Sequence, residues 1–269
     1  MDYVVAIFFG IIQGLTEFLP VSSSGHLIIL HEIFKLPIEN EMAFDVVLHF
    51  ATLLAVLFFF RKDIYHLIKS WFGSLFGRKD EYSRISWFII IGTIPAALAG
   101  WFFDDIIENS LRSPFVVVAM LIIVGILFII FEKFSKFVKE FKDMNWKNSI
   151  VIGLAQAIAL VPGTSRSGIT IIAGIGSGLK REVAIRFSFL LSIPIIFGAV
   201  IKKTPQIISD NLSVNDYSVL LIAFLSAFVS GILAIKYFLL FSKKHSLNVF
   251  AIYRFVLAGV IIACLFLLL

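Results

Sequence analysis

The chain has 269 residues, of which 59% are hydrophobic and 15% charged, with a net charge of +5 and a mean hydropathy of +1.00. Soluble domains are about half apolar and roughly a quarter charged, so this composition excludes an ordinary water-soluble domain and points to an all-α polytopic membrane protein. The single Cys264 excludes a disulfide framework, and in such a chain the position of Lys and Arg reports orientation rather than nucleic-acid binding.

Residues 2–35 open the chain with an apolar stretch broken by "GLTEFLPVSSSGHL", Gly14 to Leu27. Each half is too short to cross a bilayer, which takes about 20 apolar residues. The stretch reads as a re-entrant helix–loop–helix hairpin, since irregular backbone at membrane depth must be buried in protein or line a wet cavity. It lacks a basic start and a small-residue cleavage site, so no removable signal peptide is expected. A first span follows at 43–61. Loop 61–84 carries Arg61, Lys62, Lys69, Arg78, Lys79 and Arg84, and its 64–83 portion mixes aromatic and basic residues as an amphipathic segment on the inner leaflet does. Spans at 84–103 and 113–132 are joined by an acidic loop with Asp104, Asp105 and Glu108. Loop 133–147 brings Lys133, Lys136, Lys139, Lys142 and Lys147. Residues 148–179 form a second broken stretch, with "VPGTSRSGIT" at its tip. Three more spans, 182–201, 216–240 and 247–268, complete six transmembrane helices and two hairpins.

If both hairpins return to the side they entered, these loops place eleven basic residues on one face, joined there by Lys180, Arg181, Lys243 and Lys244. Lys35, Arg112, Lys202 and Lys203 fall on the other. The basic face is then cytoplasmic, and loop 104–112 and both termini are external.

The chain also repeats. Shifted by 143 residues, Gly10, Gln13, Ser22, Ser24 and Gly25 fall on Gly153, Gln156, Ser165, Ser167 and Gly168. Each unit, about 1–142 and 143–269 of a single membrane domain, is one hairpin and three spans. Three is odd, so the repeat is expected to have inverted topology, with the two tips meeting near the midplane.

The tips carry the chemistry. Arg166 at membrane depth is a functional-site candidate. Among Gly163, Thr164, Ser165, Ser167 and Gly168, and at the N-terminus of a half-helix, its guanidinium makes an oxyanion site suited to phosphate or carboxylate. The plainer reading is that Arg166 pairs with Glu17 and only fastens the hairpins together. In the first tip, Ser22, Ser23 and Ser24 can cap the half-helix starting near Gly25 and bind anions. His26 can act as general acid or base, or help activate a serine. Gln13 and Glu17, four apart on one helix face, can offer oxygens to a hard divalent cation. Asp45 and His49 share a face and can approach the site or line a helix interface. Arg186 is expected to snorkel, and Lys236 and Arg254 to pair or reach the interface.

The stretches "QGLTEFLPVSSSGH" and "PGTSRSG", with "AIYRFVLAG" near the C-terminus, resemble the undecaprenyl-pyrophosphate phosphatases of the bacitracin-resistance type over the whole chain. The resemblance implies hydrolysis of undecaprenyl pyrophosphate to undecaprenyl phosphate and phosphate, which recycles the lipid carrier for cell-wall synthesis. It implies a multi-pass protein of the bacterial plasma membrane, a site opening to the extracytoplasmic side, and a divalent cation, Mg2+ or Ca2+. The family's functional residues map onto Gln13, Glu17, Ser22, Ser23, His26, Thr164, Ser165 and Arg166, with Gln13 standing where some relatives have Glu. On this reading Glu17, Ser23, His26 and Arg166 are catalytic, Ser22, Ser24, Thr164, Ser165 and Ser167 bind phosphate, and Glu17 with Gln13 holds the metal. Ser23, His26 and a water activated by Glu17 all remain open as nucleophile. The partners are a polyprenyl pyrophosphate lipid and the bilayer, and there is room for a homodimer. The alternative function is a lipid-phosphate flippase or anion transporter, which shares the architecture but needs no nucleophile.

Overall fold

In the computed structural model, the described residues are 2–34, 40–103, 106–107, 111, 113–208 and 214–268. They form eleven α-helices: α1 Asp2–Phe18, α2 Ser23–Ile33, α3 Glu41–Phe59, α4 Arg61–Leu75, α5 Glu81–Phe102, α6 Pro114–Phe134, α7 Trp146–Ile158, α8 Arg166–Gly176, α9 Arg181–Ile208, α10 Val214–Ser242 and α11 Asn248–Leu268. A 3-10 turn, Phe141–Asp143, joins α6 to α7. Six helices (α3, α5, α6, α9, α10 and α11) are long and apolar enough to cross a membrane, and they fall on the six expected runs. Lys35, Asp104, Asp105, Glu108 and Arg112 lie outside the described residues.

The remaining apolar helices are short. α1, α2, α7 and α8 have 17, 11, 13 and 11 residues. At ~1.5 Å per residue none spans the ~30 Å hydrocarbon core. α1 packs on α2 and α7 on α8, so each pair is a helix–loop–helix hairpin. The breaks have a local cause. Ser22 and Ser165 stand at φ 73° and 69°, outside helical space, and each caps the next half-helix by accepting from the amide three residues on, Gly25 N at 3.2 Å and Gly168 N at 3.1 Å. Positive φ in a non-glycine residue is costly and persists only where the surroundings enforce it. Its occurrence at both repeat-related serines marks two tips built alike.

The hairpins are set by exchanged partners. α1 packs chiefly on α10, and α7 chiefly on α5. In each case glycines allow the approach: a Cβ at Gly10 or Gly14 would collide with the α10 backbone, and one at Gly153 with Gly92 of α5. Small residues let helix backbones come close where lipid supplies no hydrophobic drive between helices. α3 packs on α9 and α6 on α11, pairing the first and third spans of the two halves. This arrangement is compatible with an inverted repeat. The main core lies where these pairs meet, with Phe18 and Phe189 in edge-to-face contact at 5.3 Å.

The mixed segment after the first span is a helix, α4, packed on α5 and displaying Tyr65, Ile68, Phe72 and Leu75. Arg186 does not simply reach for water: its Nη2 pairs with Asp63 of α4 at 3.0 Å. Nearby, Arg181 grips buried Glu132 through two nitrogens (Nε to Oε1 2.8 Å, Nη2 to Oε2 2.6 Å) and ties α9 to the end of α6. Lys236 is exposed, with its Nζ 5.7 Å from the centre of the Tyr237 ring.

One glycine fixes the shape of the second tip. Gly163 has φ +87°, and a Cβ there would lie 2.6 Å from Cα and O of Val117 in α6. Gly163→Ala combines a strained backbone with a backbone collision. We expect it to cost at least ~2 kcal/mol, read as a fall of several degrees in the apparent melting temperature in detergent. An unchanged melting temperature would mean that the tip is not held against α6.

Candidate active site

The two tips touch. Arg166, the first residue of α8, extends Nη2 to Glu17 Oε1 at 2.7 Å. Gly163 N donates to Ser24 Oγ at 3.4 Å, and Ser167 Oγ to Leu19 O at 3.1 Å. Residues about 145 positions apart thus form one polar cluster among apolar helices. The pairing of Glu17 with Arg166, the plainer of the two readings of Arg166, is present, so any catalytic role must accommodate it.

Glu17 is the hub. It lies near the end of α1, is 7% exposed, accepts from Arg166, Ser23 and Gln13, and has the His49 ring close by. Oε1 meets Arg166. Oε2 accepts from Ser23 Oγ at 2.9 Å and from Gln13 Nε2 at 3.0 Å, and has His49 Nδ1 of α3 at 3.6 Å. A buried carboxylate is tolerable in such a place only when paired and hydrogen-bonded to this degree. Two groups in the cluster are left over. Arg166 Nη1 and Gln13 Oε1 are buried without a protein partner. An unmet guanidinium nitrogen and an unmet amide oxygen side by side with a carboxylate invite a ligand that brings both anionic oxygens and a cation.

The serines divide their work by backbone geometry. Ser22 is the cap of α2, so Ser23 is the hydroxyl that turns to Glu17. Ser24 is exposed and meets the second tip. In the second tip, Ser165 caps α8, Ser167 bonds Leu19, and the fully buried Thr164 hydroxyl donates to Val161 O at 2.6 Å. The hydroxyls of Ser22, Thr164, Ser165 and Ser167 therefore build the tips. The donors they leave for an anion are the unpaired amides of the first turns of α2 and α8.

His26 directs its hydrogen bonds away from Ser23. Its Nδ1 lies 2.7 Å from Ser22 O, and its Nε2 lies 2.7 Å from the Tyr253 hydroxyl of α11. A carbonyl only accepts, so Nδ1 carries the proton and Nε2 accepts from Tyr253 in the neutral ring. The ring is thereby fixed in tautomer and direction.

Three groups at the site were not assigned to it by sequence reasoning. Asp45 turns away to His31, with Nε2 to Oδ1 at 3.1 Å, but its helix mate His49 joins the cluster and accepts from Gln13 Nε2 at 3.1 Å. Tyr253 holds His26. Arg254 corrects an expectation: it neither pairs with a carboxylate among the described residues nor reaches the interface, but is fully buried and bonded to backbone carbonyls of both tips. The signal that could have found these two is the "AIYRFVLAG" motif, a tyrosine and an arginine inside a span.

Among the described residues no cluster of three or more His, Cys, Asp or Glu forms a self-sufficient metal cage. The donor set does fit a hard cation of another kind. Mg2+ is held typically by one or two carboxylates with substrate phosphates and waters, and Glu17 with the unpartnered Gln13 Oε1 would offer such a partial shell.

Comparison with known proteins finds relatives along nearly the whole chain. A family model described as Bacitracin resistance protein BacA matches residues 6–260. Proteins named undecaprenyl-diphosphatase are similar along nearly their whole length. The one from Thermodesulfovibrio yellowstonii is 46% identical over 95% of both chains. That from Marinobacter nauticus is 42% identical over 98% of this chain and 100% of its own. That from Rubrobacter xylanophilus is 41% identical over 99% and 100%.

Proposed function

The chain belongs to the BacA family of bacitracin resistance proteins, and on that premise we propose that the joined tips are the site where it hydrolyses undecaprenyl diphosphate to undecaprenyl phosphate and inorganic phosphate. It is a multi-pass membrane enzyme with six apolar helices long enough to span. The observation that carries the assignment is the ion pair of Glu17 with Arg166 at 2.7 Å, with the Ser23 hydroxyl on the same carboxylate at 2.9 Å.

Phosphoryl transfer needs chiefly positioning and charge stabilisation. Arg166 uses its unmet Nη1, with the α8 amides, to hold the terminal phosphate. Ser23 Oγ attacks the terminal phosphorus while its proton passes to Glu17. The bond from phosphorus to the bridging oxygen breaks, and undecaprenyl phosphate leaves with the electron pair. Water then cleaves the phosphoserine, releasing phosphate and restoring the serine hydroxyl. His26, fixed by Ser22 O and Tyr253, is the proton carrier for the second step. A divalent cation, Mg2+ or Ca2+, would be held by Glu17 and Gln13 with the substrate's own oxygens, and when bound it neutralises phosphate charge.

The two hairpins are re-entrant, of opposite topology, and meet within the bilayer, where a lipid tail can stay in hydrocarbon while its head group enters the polar cluster. The excess of Lys and Arg in the 61–84 and 133–147 loops puts those loops in the cytoplasm. In a bacterial inner membrane the site then opens on the extracytoplasmic side. A flippase or anion transporter would use the same cationic tip, but it has no use for a serine bonded to a buried carboxylate.

The test is phosphate release from undecaprenyl diphosphate by purified protein. Ser23→Ala should lower kcat by at least about a hundredfold, and chelator should suppress the wild type until Mg2+ or Ca2+ is returned. Near wild-type turnover in Ser23→Ala would move the attack to water or His26. Indifference to chelator would remove the cation.

A further inference from the structure

Among the described residues, Arg254 is the charged side chain with the least exposure, 0%. Its guanidinium makes five hydrogen bonds, every one to a backbone carbonyl. Nε reaches Leu121 at 3.2 Å and Nη2 reaches Met120 at 3.1 Å, both in α6. Nη1 reaches Pro20 in the first tip at 3.3 Å, and Nη2 also reaches Gly163 and Thr164 in the second, each at 3.0 Å. The group also abuts the start of α8: a Cβ at Gly168 would lie 3.5 Å from Nη1.

Two consequences follow from this set of partners. First, one side chain ties α6, both tips and α11 together, and so sets the register of Glu17 against Arg166. Second, carbonyls satisfy the hydrogen bonds but leave the charge. Arg166 is balanced by Glu17, whereas no carboxylate among the described residues pairs with Arg254. Arginine stays protonated in proteins, and an unbalanced cation in an apolar slab is costly. A retained net positive charge beside the N-terminus of α8 is explained by an anion that arrives there. The bond to Thr164 O also polarises the peptide that continues into Ser165 N–H, strengthening the tip as a donor.

We propose that Arg254 is a positioning residue that holds the two tips in register and supplies the unbalanced positive charge that draws a diphosphate head group to them. This rests on the hydrolase reading for its substrate but not for its electrostatics.

The experiment uses purified full-length protein, undecaprenyl diphosphate as substrate and inorganic pyrophosphate as competing ligand, with Arg254→Gln and Arg254→Lys. Arg254→Gln, which loses the charge together with most of the donors, should raise KM and the pyrophosphate inhibition constant by about tenfold. Arg254→Lys keeps the charge but cannot reach all five carbonyls. It should leave the inhibition constant within about threefold while lowering kcat by about tenfold through lost register. Equal inhibition constants in Arg254→Gln and wild type would overturn the proposal, as would equal rises in both variants. If Arg254→Gln does not fold, Arg254→Lys decides alone, because a purely structural arginine predicts that kcat and pyrophosphate affinity fall together. A wild type that binds pyrophosphate in an Arg254-dependent manner, measured by calorimetry, yet releases no phosphate from the lipid would overturn the hydrolase reading and leave this proposal standing.

Discussion

Arg166→Met is expected to lower kcat/KM for undecaprenyl diphosphate by about a thousandfold or more, with the protein still folded. Removing one preorganised donor from a site of developing negative charge costs about 10²–10³ in rate, and a charged arginine in phosphoryl transfer about 10³–10⁵. Arg166 combines both roles, since it opens α8 and keeps Nη1 free beside the Glu17 carboxylate. Arg166→Lys should fall between: an ammonium is a point charge and cannot serve Glu17 and a phosphate with separate, fixed nitrogens. If Arg166 only fastened the hairpins, its loss would lower the melting temperature and leave turnover per folded molecule unchanged. Parallel measurement of turnover and thermal stability separates the two.

Glu17→Gln should be about as damaging, for a different reason. The substitution keeps the volume and one hydrogen-bonding oxygen, but it removes the charge that balances Arg166 and the base that receives the Ser23 proton. Breaking a buried pair from one side costs about 3–5 kcal/mol, because the remaining charge is left uncompensated. General-base loss adds about 10²–10⁴ in rate. We expect kcat to drop at least about a thousandfold and the response to Mg2+ or Ca2+ to disappear. Turnover within tenfold of wild type, with the cation response intact, would strip Glu17 of both roles and leave His49 as the nearest alternative base.

The parts of this site legible in the sequence are those written in local contrast. Glu17 and Arg166 are charges in apolar stretches, Pro20 and Gly163 lie in the breaks between helices too short to span, and Gly25 and Gly168 fall in the first turns that follow, so both tips and both residues stand out. The six spans are equally plain, because about 20 apolar residues permit little else. What stayed hidden depends on contacts between distant segments or on single torsions. Three successive serines do not say which one caps; the φ of 73° at Ser22 decides that and leaves Ser23 for Glu17. Asp45 and His49 occupy one helix face, and only the lie of α2 sends Asp45 to His31 and frees His49 for Gln13. Arg254 was the hardest to read. An arginine in a span suggests a carboxylate or the interface, whereas its partners are carbonyls of Pro20, Met120, Leu121, Gly163 and Thr164. Backbone acceptors belong to every residue type and leave no trace in sequence. Helix α4 was likewise veiled, because aromatic and basic residues alternate too irregularly at 64–83 to mark its ends.

The central claim is that one chemical unit is assembled from two hairpins, and a double-mutant cycle of phosphate release tests it most directly. Glu17→Asp and Arg166→Lys keep charge while spoiling the 2.7 Å contact, so activity stays measurable. Residues in direct contact couple by about 0.5–3 kcal/mol, whereas independent sites add. The double variant is expected to be slowed little beyond the worse single variant. Rate losses that simply multiply would show that the two hairpins act separately, and would contradict the claim.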